Sequence, residues 1–263
     1  MRVIRRLLLS SFFFVPIALC AAQETLQPLH APDGGTIERF ASISIPSTPD
    51  APFTATVNTE WIRQVPDGSL ISLKNHRIIA RDAKGRIYQQ RSFFVPNDGK
   101  QESTVYQIEI RDPATRQRYV CRSAERVCRL QQFFGSDFEP ASGAAPASVK
   151  TGAPGFTVES LGTQNIAGLE TIGSRETHVL GAATMGNEAP ILERKEFWYS
   201  PQLGINLVTK RQDPSHSTQQ NFEVTNLSLG APDAALFEPP VGYKILDLRN
   251  PPELSPTQTS SPQ

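Results

Sequence analysis

Residues 53–65 constrain the fold more than any other stretch of this chain. Phe53, Ala55, Val57, Trp61 and Val65 share one side of an extended backbone, and Thr54, Thr56, Asn58, Glu60 and Gln64 the other, with Ile62 and Arg63 as exceptions. Period-two alternation of this length is the pattern of a half-buried β-strand. Pro66-Asp67-Gly68-Ser69 then turns the chain into 70–79, and Asp82-Ala83-Lys84-Gly85 turns it again into 86–95. Three consecutive antiparallel strands are expected. Alternation returns in 105–111, with Tyr106, Ile108 and Ile110 inward, and 112–116 turns into 117–122. Further strand signals lie at 156–161, 177–180, 191–199, 205–211 and 219–229. No useful length of sequence places apolar residues at helical spacing, so the chain reads as mainly β, an antiparallel fold with few short helices.

The first 22 residues set the compartment. Arg2, Arg5 and Arg6 precede an apolar run at 7–19, and Cys20, Ala21 and Ala22 are small residues before Gln23. This is the pattern of a secretory signal peptide. The run is shorter than the span of about 20 residues that a membrane helix needs, and Pro16 interrupts it. Lipoprotein anchoring at Cys20 is disfavoured, because Leu19 stands where that processing wants a small residue. Cleavage after Ala22 leaves 241 residues with 23 basic and 26 acidic side chains, a net charge of −3. That balance argues against nucleic acid or an anionic membrane as a general partner. The expected location is the periplasm or the extracellular space, with no integral membrane span after processing.

The organisation expected is a signal peptide at 1–22, an irregular segment at 23–52, one β domain at 53–245 and a disordered tail at 246–263. Within the domain, 135–155 is rich in Pro, Gly, Ala and Ser and reads as a flexible loop. Cys121 and Cys128 flank Ser123 to Arg126. In a hairpin with that turn they lie opposite each other, at a separation suited to a disulfide in an exported protein.

Catalytic patterns are missing. His30, His76, His178 and His216 are scattered, with no paired spacing for a metal, and no Gly-x-Ser-x-Gly or phosphate loop occurs. The expectation is therefore a non-enzyme without cofactor or metal. Glu193 and Glu196 beside Arg194 and Lys195 read as a solvated strand or edge. Phe197-Trp198-Tyr199 is the sharpest local feature, since three consecutive aromatics on a strand point to both faces.

The segment from Phe197-Trp198-Tyr199-Ser200-Pro201-Gln202-Leu203-Gly204-Ile205 through Asp213-Pro214 to Leu236-Phe237-Glu238-Pro239-Pro240-Val241-Gly242-Tyr243 resembles the C-terminal part of the periplasmic lipoprotein-carrier and sigma-factor-regulator superfamily, the LolA/RseB-like proteins. The chain also resembles a group of uncharacterised exported bacterial proteins. The resemblance implies a strongly curved antiparallel sheet, an incomplete or half β-barrel whose concave face is apolar, and it carries no catalytic residue. It also implies a non-enzymatic binding protein for an apolar or acylated ligand held in the hollow. Trp61, Phe197, Trp198, Tyr199 and Phe222 are the candidate wall residues. The other expectation is an envelope protein-protein interaction module, with an exposed sheet edge and the 135–155 loop as its contact surface.

Overall fold

The computed structural model describes residues 43–132 and 155–249. The segment expected to be a signal peptide, the 135–155 loop up to residue 154 and the expected tail beyond residue 249 lie outside the described residues. Thirteen strands form one curved sheet: β1 (Phe53–Gln64), β2 (Leu70–Arg81), β3 (Ile87–Ser92), β4 (Val95–Pro96), β5 (Val105–Asp112), β6 (Gln117–Arg122), β7 (Val127–Gln132), β8 (Phe156–Ile166), β9 (Leu169–Leu180), β10 (Ile191–Ser200), β11 (Ile205–Asp213), β12 (Thr218–Leu229) and β13 (Lys244–Asp247). Their order is β13-β7-β6-β5-β3-β2-β1-β12-β11-β10-β9-β8, with β4 paired to β2. All pairings are antiparallel except β13 with β7. The fold is mainly β, an open, curved antiparallel sheet with almost no helix.

The turns follow from their side chains. Asp67 Oδ1 accepts the Ser69 amide, Asp82 Oδ1 those of Lys84 and Arg86, and Asp112 Oδ1 that of Ala114. Each aspartate so satisfies backbone donors that the strands leave unpaired. Curvature comes from four register shifts, at Thr54/Thr56, Arg91/Ser92, Ser160/Gly162 and Trp198/Tyr199. Bulges of this kind bend a strand and raise its twist.

Gly173 makes no turn. It lies within β9, and a Cβ there would stand 2.7 Å from the Trp198 ring and 2.8 Å from Leu161, so that strand tolerates only glycine under the indole. The turn is at Ala167 and Gly168, both with positive φ, which makes β8 and β9 a hairpin. Nor is β10 an edge, since β9 and β11 flank it. Its Glu196 bonds to Arg175 and to Trp198 Nε1 and lies 3.5 Å from Lys210. The tail boundary also differs, because β13 reaches Asp247 alongside β7.

The register assigns the faces. On the inner face Phe53, Ala55 and Val57 of β1 join Ile79, Ile87, Ile205, Leu207, Phe222 and Val224 in a buried apolar cluster, covered at one end by Ile43, Ile45 and Leu203. Each of these side chains apart from Ala55 contributes roughly 1.5–3 kcal/mol on burial. Arg81 closes that end. Its guanidinium donates to the carbonyls of Ala51, Pro46 and Leu203 and lies over the Phe53 ring. Burial pulls it down to about 10. On the outer face, Ala80, Tyr88 and Ile110 pack under Phe237 of the short 3₁₀ turn Ala234–Phe237. Cys121 and Cys128 are opposite each other in the β6–β7 hairpin and form a disulfide.

Candidate functional site

The inner face changes character along the strands. Beyond the apolar cluster, one cross-sheet row runs Ser174, Phe197, Thr209, Phe222, Thr59 and Asn75 across β9, β10, β11, β12, β1 and β2. All six are buried. Among the described residues Thr59 Oγ1, Ser174 Oγ and Asn75 Oδ1 have no hydrogen-bond partner, although Asn75 Nδ2 donates to the Ser92 carbonyl. Orphaned buried oxygens are costly, and in native proteins they often face water or a ligand.

The next row on the same face is Glu176, Lys195, Arg211, Gln220, Trp61 and Leu73. Nearer the strand ends, Arg63 lies between Thr218 and Ile71. Of these residues Trp61, Arg63, Lys195, Arg211, Thr218 and Gln220 line an open groove of about 900 Å³ that ends at the 65–68 turn and the turn after β11. The Gln64 amide donates to the Ser217 carbonyl and holds those two turns together. Arg211 lies over the Phe222 ring at 5.4 Å and donates to Gln220 Oε1 at 3.4 Å. Burial lowers its affinity for the proton, the mark of a guanidinium poorly supplied with water.

The candidate wall residues separate. Phe197 and Phe222 flank Thr209 in the buried row, and Trp61 stands in the row above and lines the groove. Tyr199 lies beyond the Trp198/Tyr199 register shift and pairs with Ile172 and Asn206, away from the groove. Trp198 points to the outer face, across Gly173. Sequence reading missed Lys195 and Arg211, and treated Arg63 as an exception to the alternation of β1. Arg63 in fact keeps strict alternation with Thr59 and Trp61, and that regularity was the available signal.

Asp213, Ser215 and His216 also line the groove. His216 Nδ1 lies 2.7 Å from Asp213 Oδ2 and 2.9 Å from Ser215 Oγ, and Ser215 donates to Asp213. Burial pushes the Asp213 carboxyl up, and the bonds from Ser215 and His216 outweigh it and hold it below its ordinary range. A nucleophile triad requires serine and carboxylate on opposite imidazole nitrogens. Here both meet Nδ1, and Asp213 caps the 3₁₀ turn Pro214–His216. The group is a turn cap. Among the described residues no cluster of His, Cys, Asp and Glu is arranged to hold a metal, and no helix is long and apolar enough to cross a membrane.

No protein-family model matches the chain, and no curated protein matches it significantly. Solved structures do. An uncharacterized conserved protein from Thermus thermophilus is similar at 10% identity over 75% of this chain and 90% of that one, with a TM-score of 0.39. The MucA/MucB complex of Pseudomonas aeruginosa is similar at 14% identity over 76% of this chain and 59% of the other, with a TM-score of 0.40. A LolA superfamily protein from Nitrosomonas europaea is similar at 10% identity over 72% and 91%, with a TM-score of 0.29. The solved neighbours include LolA-like proteins.

Proposed function

We propose that this is a non-enzymatic, exported binding protein that takes an apolar or lipidated ligand into the hollow of its curved sheet. The observation that carries the reading is the groove of about 900 Å³ on the inner face, bordered by the Trp61 indole and set next to the buried Phe197–Thr209–Phe222 row. Pockets of roughly 300–1,000 Å³ suit small ligands, and a concave sheet gives the enclosure that a flat one lacks. Binding would draw on reversible burial of apolar surface, roughly 25 cal/mol per Å², less the ordering cost of ligand and side chains.

The test is native mass spectrometry of protein purified from its exported fraction, followed by titration of the delipidated protein with fatty acids, phospholipids and a lipopeptide. A co-purified lipid mass and saturable rebinding, weakened by Trp61→Ala, are expected. Failure to bind any of these would overturn the reading. A second reading rests on the same groove: its mixed charges and open end also suit a segment of a partner protein, which would make the chain an envelope interaction module. Crosslinking in the exported fraction would then recover one protein whose capture Trp61→Ala abolishes.

A further inference from the structure

β8 and β13 are the two ends of the sheet, and they are protected to different degrees. Native edges are kept from further pairing by shortness, lysine, proline or bulges. β13 is four residues long and carries Lys244 and Asp247 at its ends. β8 runs for 11 residues with no lysine, arginine or proline, and among the described residues it pairs only with β9. Its register shift lies at Ser160/Gly162, so residues 156–160 keep a regular ladder. The Val179 amide donates to the Gly155 carbonyl. Bonded and non-bonded pairs alternate along an antiparallel ladder, so Thr157 and Glu159 turn their backbone groups to β9, and Phe156, Val158 and Ser160 turn theirs outward.

The side chains restrict which strand can join this edge. On the outer face one row alternates in charge: Glu159, Arg175, Glu196 and Lys210 stand opposite one another on β8, β9, β10 and β11. Their successive ion pairs measure 3.1, 3.2 and 3.5 Å. The row ends on an anion at the open edge, the Glu159 side chain being 62% exposed. On the other face the same edge offers the partly exposed Phe156 and Val158. Because β8 has no lysine or arginine, a second copy of it cannot supply the next cation of the row.

We propose that Phe156–Ser160 is a docking edge for an extended segment of another exported protein, added antiparallel to β8. That segment carries lysine or arginine opposite Glu159 and apolar side chains opposite Phe156 and Val158. Its backbone bonds to the outward groups of β8, and its cation extends the charge row by one more cross-strand pair. The edge is separate from the groove, whose described lining includes no residue of β8.

The experiment titrates a fluorescent peptide, valine and threonine alternating around one lysine, with the full-length protein and follows anisotropy. Saturable binding is expected, roughly tenfold tighter than that of the same peptide with glutamate for lysine, and lost when alternate peptide amides are N-methylated. Val158→Pro removes an outward donor and no bond to β9, so it should abolish binding and leave the thermal midpoint of unfolding nearly unchanged. Glu159→Lys should reverse the preference toward the glutamate peptide, and Trp61→Ala should leave binding as it was. Equal binding of the N-methylated peptide would overturn strand addition, and equal binding of the lysine and glutamate peptides would overturn the charge row. A midpoint lowered by more than about 5 °C in Val158→Pro would mean that the chain already fills this edge itself, which overturns the docking site. Self-association lost in Val158→Pro, without peptide binding, would make a second copy the occupant instead. Absence of any binding overturns the proposal and leaves the groove reading standing.

Discussion

Two groups of arginines face inward on this sheet, and they differ in what they surround. On β3, β5 and β6, Arg111 Nε lies 2.6 Å and Arg118 Nε 2.9 Å from Glu109 Oε1, while Arg91 and Gln89 reach Oε2 at 3.7 and 3.2 Å. The Glu109 side chain is fully buried. Burial pushes its carboxyl up, and the charges of Arg111, Arg118 and Arg91 outweigh that and hold it below the ordinary range. In the groove, Lys195 and Arg211 are set directly against each other across two strands. The first group is organised around a carboxylate that the chain supplies. The second sets cation beside cation on adjacent strands, with Glu176 next to Lys195 on β9.

The comparison breaks most readily at Glu109. Glu109→Gln removes the centre and leaves three guanidinium groups against a neutral amide, and a loss of roughly 3–5 kcal/mol is expected from urea unfolding. A loss below about 1 kcal/mol would make the two groups equivalent. The pH dependence sharpens the same point. Because the folded Glu109 carboxyl ionises below its ordinary range, its contribution is fully present above the unfolded carboxylate value and is lost as pH falls through the folded one. Unfolding midpoints measured from pH 7 down to pH 3 should therefore decline more steeply in the natural chain than in Glu109→Gln. The smallest effect belongs to the groove. Lys195→Met relieves Arg211 of a like charge and deprives Glu176 of an opposite one, so stability should stay within about 0.5 kcal/mol. A loss above about 2 kcal/mol would place Lys195 in the scaffold alongside Arg111.

Much of the fold was legible because its signals are local. The alternation of β1, the Asp67, Asp82 and Asp112 turns, and the opposition of Cys121 and Cys128 each depend on fewer than fifteen consecutive residues. The first half of β9 was not legible. Gly168 and Gly173 look alike in sequence, yet one makes a turn and the other lies under an indole contributed by a different strand. The aromatic triplet was half legible: alternation required it to divide between faces, but only the pairing of Trp198 with Gly173 assigned the indole outward and Phe197 inward.

The sequence alone determined that the chain builds antiparallel strands, where most of them turn and which cysteines meet, because hydrophobic period and turn chemistry act over a few residues. Tertiary structure decided the candidate site. Arg63, Lys195 and Arg211 come from three strands, with more than a hundred residues between the first and the others, and β1 meets them only through β12. Since a shift of one residue in register moves every side chain to the opposite face, it is the pairing of β1 with β12 that brings a tryptophan and three cations to the same groove.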